Sequence, residues 1–342
     1  MTEPTEETLR AARVFESVSE AVAATEPVYK LSTTIGPDAA AIAQLTDLVE
    51  LTLGGSAAPP SLAQLSTLRH LEVSAPMTGF PSWVLELPEL RRLTLTLGSF
   101  EAVPESLGEI RSLRSLTLAS NALAALPESL GCLTDLRRLI IRGGRLSALP
   151  PSIGELARLK SLEVRDSALG ALPEALCDCD ELRDLVVPGN ELTALPERIG
   201  ELQKLKTIDA DENQLTALPA SLYELGALQT LRVRSNRIEA LSDEVRRLTA
   251  LRELHLGHNA LPMLPELTGL PLKKLDLGHN ELSVLPASVG ELPLQLLVVE
   301  SNRLRGLPDI VAKLKRTIVY AKGNRLPKAD RAALQGLRNV YL

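Results

Sequence analysis

Leu113-Arg114-Ser115-Leu116-Thr117-Leu118-Ala119-Ser120-Asn121-Ala122-Leu123-Ala124-Ala125-Leu126-Pro127 and Leu182-Arg183-Asp184-Leu185-Val186-Val187-Pro188-Gly189-Asn190-Glu191-Leu192-Thr193-Ala194-Leu195-Pro196 superimpose position for position. In both, Leu or Val fills the first, fourth, sixth, eleventh and fourteenth places, Asn the ninth and Pro the fifteenth. The pattern restarts about every 23 residues, at Leu90, Leu136, Leu159, Leu205, Leu228, Leu251, Leu272 and Leu294. Weaker copies start at Leu48, Leu68 and Arg316, and Val28 with Leu31 reads as a shortened first coil.

Alternation of apolar and other residues over the first six places is the mark of a strand with one buried face. A single copy is too short to bury that face, so copies must stack and share a core. An Asn side chain can hydrogen-bond the backbone of the turn that leaves the strand. The column Asn190, Asn213, Asn236, Asn259, Asn280, Asn302 and Asn324 is therefore expected to form a ladder satisfying buried amides. The Pro after the last Leu lacks a donor and disfavours helix in its predecessor, which predicts short irregular or 3-10 turns on the return path.

The 342 residues are 45% hydrophobic but only 2% aromatic, which fits a core built by stacking one aliphatic side chain many times. A net charge of −6 and the absence of long Lys/Arg blocks argue against nucleic acid or an anionic membrane as the main partner. No run approaches the roughly 18 apolar residues of a spanning helix. Residues 1–7 carry three Glu and no basic or apolar leader pattern, and three Cys make no even disulfide framework, so a reducing cytoplasm is expected.

With the continuation Leu149-Pro150-Pro151-Ser152-Ile153-Gly154-Glu155-Leu156, the repeat resembles the leucine-rich-repeat family, LxxLxLxxNxL followed by LPxxIGxL. It is similar to the Ras-related intracellular subtype and its bacterial counterparts, over residues 28–326 in about 13 coils. The resemblance implies an α/β solenoid: a curved horseshoe, a parallel sheet on the concave face, short irregular or 3-10 segments on the convex face, and helical caps. It also implies a non-catalytic module that binds a protein. Pro76, Gly98, Gly144 and Ser167 stand where the family has Asn, and Ser242 where it has Pro, so those coils are expected to be irregular.

An open solenoid needs both ends covered. Residues 1–27 read as an N-terminal helical cap, with Thr5 at its start, Glu6 and Glu7 in its first turn and Ala11, Phe15, Val18 and Val22 in one apolar stripe. Residues 327–342 read as the C-terminal cap, with Ala333, Leu334 and Leu337 facing inward.

Indexing the coil places one row between the two inward strand positions: Thr52, Glu72, Thr94, Thr117, Ile140, Glu163, Val186, Asp209, Arg232, His255, Asp276, Val298 and Tyr320. These residues should project from the sheet. With the neighbouring rows, Arg92, Arg138, Arg142 and Arg165 form a basic block, Asp184, Asp209, Asp211 and Glu212 an acidic one, and Arg232 with Arg234 a second basic one. Ion pairs such as Asp209 with Arg232 are expected across the strands. Alternating blocks suit protein recognition better than a uniform polyanion field. The expected contact residues are Arg92, Arg138, Arg142, Arg165, Asp209, Asp211, Arg232, Arg234, His255, Asp276 and Tyr320.

Catalytic signatures are missing. His255, His258, Asp276 and His279 fall on adjacent coils, but Gly-His-Asn is a copied unit at Gly257-His258-Asn259 and Gly278-His279-Asn280, so no metal is assigned. Cys177-Asp178-Cys179 lacks the CxxC spacing of redox or zinc sites. Gly54-Gly55 and Gly143-Gly144 lack phosphate-loop context. Only residues 327–342 follow the last coil, which leaves no room there for the ubiquitin-ligase domain of some bacterial relatives. The expectation is a cytoplasmic, monomeric adaptor or scaffold without cofactor, the alternative being a secreted bacterial effector that binds a host protein.

Overall fold

The computed structural model describes residues 4–55, 58–314, 316–335 and 337–342. Two compact units, residues 1–159 and 160–342, make up the chain. Among the described residues sixteen strands, all parallel, follow chain order.

The first unit holds β1 (Val14–Phe15), β2 (Lys30–Thr34), β3 (Glu50–Gly54), β4 (His70–Met77), β5 (Arg92–Gly98), β6 (Ser115–Ser120) and β7 (Arg138–Arg142), each paired with the next. In β6, Leu116 and Leu118 are fully buried while Ser115, Thr117 and Ala119 between them are half-exposed, as period-2 alternation requires. The return path contains 3-10 helices such as Glu105–Glu109, Glu128–Cys132 and Pro151–Glu155, each entered through an extended Pro. Their free N-terminal amides are met by the coil before: Glu105 Oε2 accepts from the Ser129 amide at 3.0 Å and Glu128 Oε2 from that of Ser152 at 3.3 Å.

Of the coils expected to be irregular, those of Pro76 and Gly98 show it, whereas the strands of the Gly144 and Ser167 coils pair without a shift. Strand register shifts between Ser74 and Met77 and between Leu95 and Gly98. One assignment needs correction: Asn121 is exposed, and Ser120 turns inward to donate from Oγ to the Phe100 carbonyl at 2.8 Å. Phe100, fully buried, holds the column that Leu fills elsewhere.

The second unit holds β8 (Ser161–Arg165), β9 (Asp184–Val186), β10 (Thr207–Asp209), β11 (Thr230–Arg232), β12 (Glu253–His255), β13 (Lys274–Asp276), β14 (Leu296–Val298), β15 (Ile318–Tyr320) and β16 (Val340–Tyr341). Successive strands pair in register. Beneath them Leu182, Leu205, Leu228, Leu251 and Leu272 are fully buried in one column. Fully burying a Leu contributes about 1.5–3 kcal/mol, so the column is the main source of cohesion.

The Asn ladder forms. Asn213 Nδ2 donates to the carbonyls of Val187, Ala210 and Asp211, while its Oδ1 accepts from the Leu192 amide at 3.0 Å. Asn190, Asn236, Asn259, Asn280, Asn302 and Asn324 bond both their own coil and the one before. The residue preceding each ladder Asn is left-handed: Gly189, Glu212, Ser235, His258, His279, Ser301 and Gly323 all have φ between 50° and 77°. Where Pro is replaced, Ser242 substitutes by capping, its Oγ accepting from the Glu244 amide at 3.2 Å.

Both ends depart from the expected helices. At the N-terminus Thr5 caps α1 (Glu6–Ala11), but this helix buries nothing; β1 follows, and Ser17 caps a separate α2 (Val18–Val22). Phe15, Val18 and Ala21 are buried, whereas Ala11 and Val22 are exposed. Val14 and Phe15 are strand formers beside an open sheet edge, and pairing with Lys30 and Leu31 outcompetes helix propensity there. At the C-terminus, α3 (Pro308–Lys313) is followed by α4 (Lys328–Gln335), which buries Leu334; Ala333 and Leu337 are exposed. Val340-Tyr341 covers the last strand as β16, which leaves less of that core for α4 to bury. Among the described residues no helix is long and apolar enough to cross a membrane.

Candidate functional site

The row of residues between the inward positions is in register as indexed: Thr52, Glu72, Thr94, Thr117 and Ile140 within the first unit, and Glu163, Val186, Asp209, Arg232, His255, Asp276, Val298 and Tyr320 within the second. They do not all project freely. Ile140, Glu163 and Asp276 are buried, and Arg165 lies over Glu163, its Nε donating to Oε1 at 2.8 Å.

Asp276 is the centre of the second unit's charged cluster and is 3% exposed. Its Oδ1 accepts from the Gly278 amide at 3.1 Å, and Oδ2 meets the Arg234 guanidinium and lies 3.9 Å from His255 Nδ1. Burial pulls the Asp276 carboxyl upward, but His255, the Gly278 amide and Arg234 outweigh it and hold the acid below its ordinary range. Arg234, two residues beyond β11, reaches Asp276 of β13 across Gly257, where a Cβ would stand 3.1 Å from the Asp276 carboxylate.

Two sequence expectations fail at this point. Arg232 pairs with Glu253 at 3.6 Å rather than with Asp209. Asp276 is buried and does not project from the sheet, and the half-exposed Arg234 side chain is ion-paired to it. Glu253 also meets Lys274 at 2.8 Å and His255 at 3.5 Å; Lys274, then His255, hold its carboxyl below the usual range. Glu253 and Lys274 occupy the row of Thr230, two residues ahead of Arg232, and were not among the expected contact residues. Asp211 Oδ1 accepts from the Arg234 amide at 2.6 Å; burial pushes its carboxyl up against that bond.

His258 and His279 stack face to face, centroids 4.0 Å apart and planes 11° from parallel. Stacking brings ring faces together rather than nitrogens onto a common point, and among the described residues no group of three His, Cys, Asp or Glu is arranged to hold a metal. Cys177 and Cys179 are buried thiols outside any disulfide, and burial pushes both up to about 12. At the C-terminal end of the face Tyr320 and Tyr341 stack with centroids 4.9 Å apart, both rings exposed. Tyr341 was overlooked, although it follows Tyr320 by one coil length.

In the first unit the basic residues separate. Arg92 shares a row with Lys30, Glu50 and His70, Arg138 continues that row beyond Ser115, and Arg142 aligns with Ala119 in the neighbouring strand. A parallel sheet laid down one coil at a time, with Leu in the core and an Asn ladder from Asn190 to Asn324, decides the architecture. The fold is a leucine-rich-repeat solenoid. Residues 174–271 match the family model of a leucine-rich repeat region. A leucine-rich-repeat protein of Leptospira interrogans is 25% identical with a TM-score of 0.70, over 96% of this chain and 100% of that one. The leucine-rich-repeat ectodomain of the Arabidopsis receptor kinase HAESA, in complex with an N-terminally extended IDA peptide hormone, is 29% identical with a TM-score of 0.76, over 92% of this chain and 57% of that one. The chain thus spans little more than half of that receptor chain. A Listeria monocytogenes internalin shares the fold at 20% identity, TM-score 0.69, over 99% and 89% of the two chains. No curated protein sequence is significantly similar to this one.

Proposed function

We propose that this leucine-rich-repeat protein is a non-catalytic binding module, a cytoplasmic adaptor or scaffold of the Ras-related and bacterial subtype, acting as a monomer. Its protein partner docks on the exposed sheet face of residues 160–342. The observation that carries this reading is the contrast along one strand register. Inward positions repeat Leu, whereas the outward ones change from Asp209 to Arg232, His255, Val298 and Tyr320. Stacking needs the first set and makes no demand on the second. Arg232 and the Tyr320–Tyr341 stack are exposed residues of the types that anchor protein interfaces. The LPxxIGxL continuation and three cysteines outside any disulfide support an intracellular setting.

A photo-crosslinking residue at position 232 or 320 of the full chain, expressed in the source cells, tests this. The proposal expects one protein to be captured from both positions and from none on the 3-10 side, such as Arg198. Capture from the 3-10 side alone overturns it.

A further inference from the structure

Lys30, Glu50, His70 and Arg92 stand side by side on β2, β3, β4 and β5 in one row. Together with Arg69 and Arg91 they line a pocket of about 420 Å³, closed on one side by Glu6, Leu9 and Arg10 of α1. Six basic side chains, His70 among them, thus face two carboxylates, in a protein whose net charge is −6.

The carboxylates do not use up the surplus. Glu50 divides itself between Lys30 Nζ at 3.2 Å and His70 Nδ1 at 3.3 Å. Glu6 and Arg10 are 3.9 Å apart and almost fully exposed, a pair worth little. Among the described residues Arg91 and Arg92 meet no carboxylate within ion-pair distance. Burial lowers the His70 imidazole, with Arg92 and Arg91 pressing the same way against the pull of Glu50, so the ring gives up its proton more readily than a free imidazole.

We propose that this pocket binds a phosphate monoester through Arg91 and Arg92, with Lys30 and Arg69 completing the positive wall. Guanidinium groups match phosphate oxygens two at a time, and a surplus of more than one positive charge favours a dianion over a single carboxylate. The walls of the pocket concentrate the field at the anion. The phosphate is either free in a small molecule or carried on a partner's side chain; both present the same chemistry. The site is separate from the face around Arg232, so each reading is tested without the other.

Titration calorimetry of the full chain at low ionic strength, with inorganic phosphate and with a short phosphoserine peptide and its unphosphorylated counterpart, is the test. Saturable binding of phosphate or phosphopeptide, weakened by salt and absent for the unphosphorylated peptide, is expected. Arg91→Ala with Arg92→Ala should weaken it about tenfold or more. Arg303→Ala should leave it unchanged. Tighter binding of the peptide than of phosphate assigns a partner-borne group; equal binding assigns a free one. As a readout that needs no variant, the His70 ring resonances should move on adding phosphate, and the ring's titration midpoint should rise as the anion neutralises Arg91 and Arg92. No saturable binding, binding indifferent to the double substitution, or His70 resonances that stay put overturns the proposal.

Discussion

Arg234 and Asp276, two strands apart, join their charges across the bare backbone of Gly257. The pair is asymmetric: the Asp276 side chain is 5% exposed and that of Arg234 is 45% exposed. Removing the guanidinium leaves a buried carboxylate short of a partner. Arg234→Ala should therefore cost about 1–3 kcal/mol, less than a fully buried pair because water reaches Arg234. Asp276→Asn in the same background should recover part of the loss. Because the folded Asp276 acid lies below its ordinary 3.8, the stability it contributes is present above that value and disappears as pH falls through the folded one. Chemical-denaturation midpoints of wild type and the two variants check this; equal midpoints for wild type and Arg234→Ala would refute it.

The Asn ladder supplies a sharper contrast, because one repeat member stands outside it. Asn213 is 8% exposed, makes three donor contacts and accepts a fourth hydrogen bond, whereas Asn121 is exposed. Asn213→Ala should cost about 2 kcal/mol or more, since buried backbone groups in two coils lose partners. Asn121→Ala should fall within about 0.5 kcal/mol of wild type. Similar losses in thermal melts at both positions would mean that the ladder is not what binds the coils.

The Leu columns and the ladder were legible in the sequence because each depends on one coil and its copy, and a fixed period states that relation directly. The equivalent placement of His258 and His279 on adjacent coils was legible for the same reason, through the repeated Gly-His-Asn, whereas the stacking of their rings was not. What was not legible depends on three coils or on an end. The burial of Asp276 needs Arg234 from two strands away and the absent side chain of Gly257 between them, a relation no single period encodes. At the N-terminus, Val14-Phe15 had a helical stripe to join and a sheet edge to pair with, and only the edge explains β1. The row between inward positions was correct in register, yet register alone does not say which members neighbours cover, as Glu163 and Ile140 demonstrate.

Gly200 lies where the 3-10 segments of successive coils touch. A Cβ there would come within 2.3 Å of the Ser221 carbonyl oxygen, and the equivalent Gly108 and Gly131 would meet Ser129 and Ser152 in the same way. Backbone rather than a flexible side chain is the obstacle. Gly200→Ala should cost about 1–3 kcal/mol through forced separation of the coils. Gly226→Ala, with nothing within 4 Å of its Cβ, should be neutral or slightly stabilising. A melting temperature for Gly200→Ala equal to that of Gly226→Ala would contradict the close approach.

Acid should weaken the second unit at the histidine stack. Desolvation against its neighbours, then the adjoining His279 and Arg234, lower the His258 imidazole from its ordinary 6.5, with Asp276 and Glu300 pulling the other way. The unfolded chain then takes up this proton more readily than the folded one, so stability declines as pH falls through 6.5 towards the folded value. His258→Asn, whose side chain tolerates the left-handed backbone at this position, removes the titrating group. Urea midpoints of this variant should fall less than those of wild type between about pH 7.5 and about pH 5.5. Identical slopes would show that the stack carries no such penalty.

The interface prediction turns on choosing residues whose loss does not damage the fold, which excludes Arg234 and Asp276. Arg232 qualifies: its side chain is half-exposed, and its pairing with Glu253 at 3.6 Å is one of three that Glu253 makes. Tyr320 qualifies as well, because it rests on Tyr341 at the surface rather than in the Leu core. An exposed pair contributes at most about 1 kcal/mol to stability, whereas an Arg or Tyr anchor at the centre of an interface contributes about 2 kcal/mol or more to binding. Arg232→Glu and Tyr320→Ala should therefore each weaken a crosslinked partner about thirtyfold, with circular dichroism and melting little changed. Arg198→Ala, on the 3-10 side, breaks ion pairs to Asp178 and Glu201 and should leave affinity unaltered. The order of these affinities decides the matter: a partner released by Arg198→Ala and retained by both sheet-face variants would bind the opposite side of the coil.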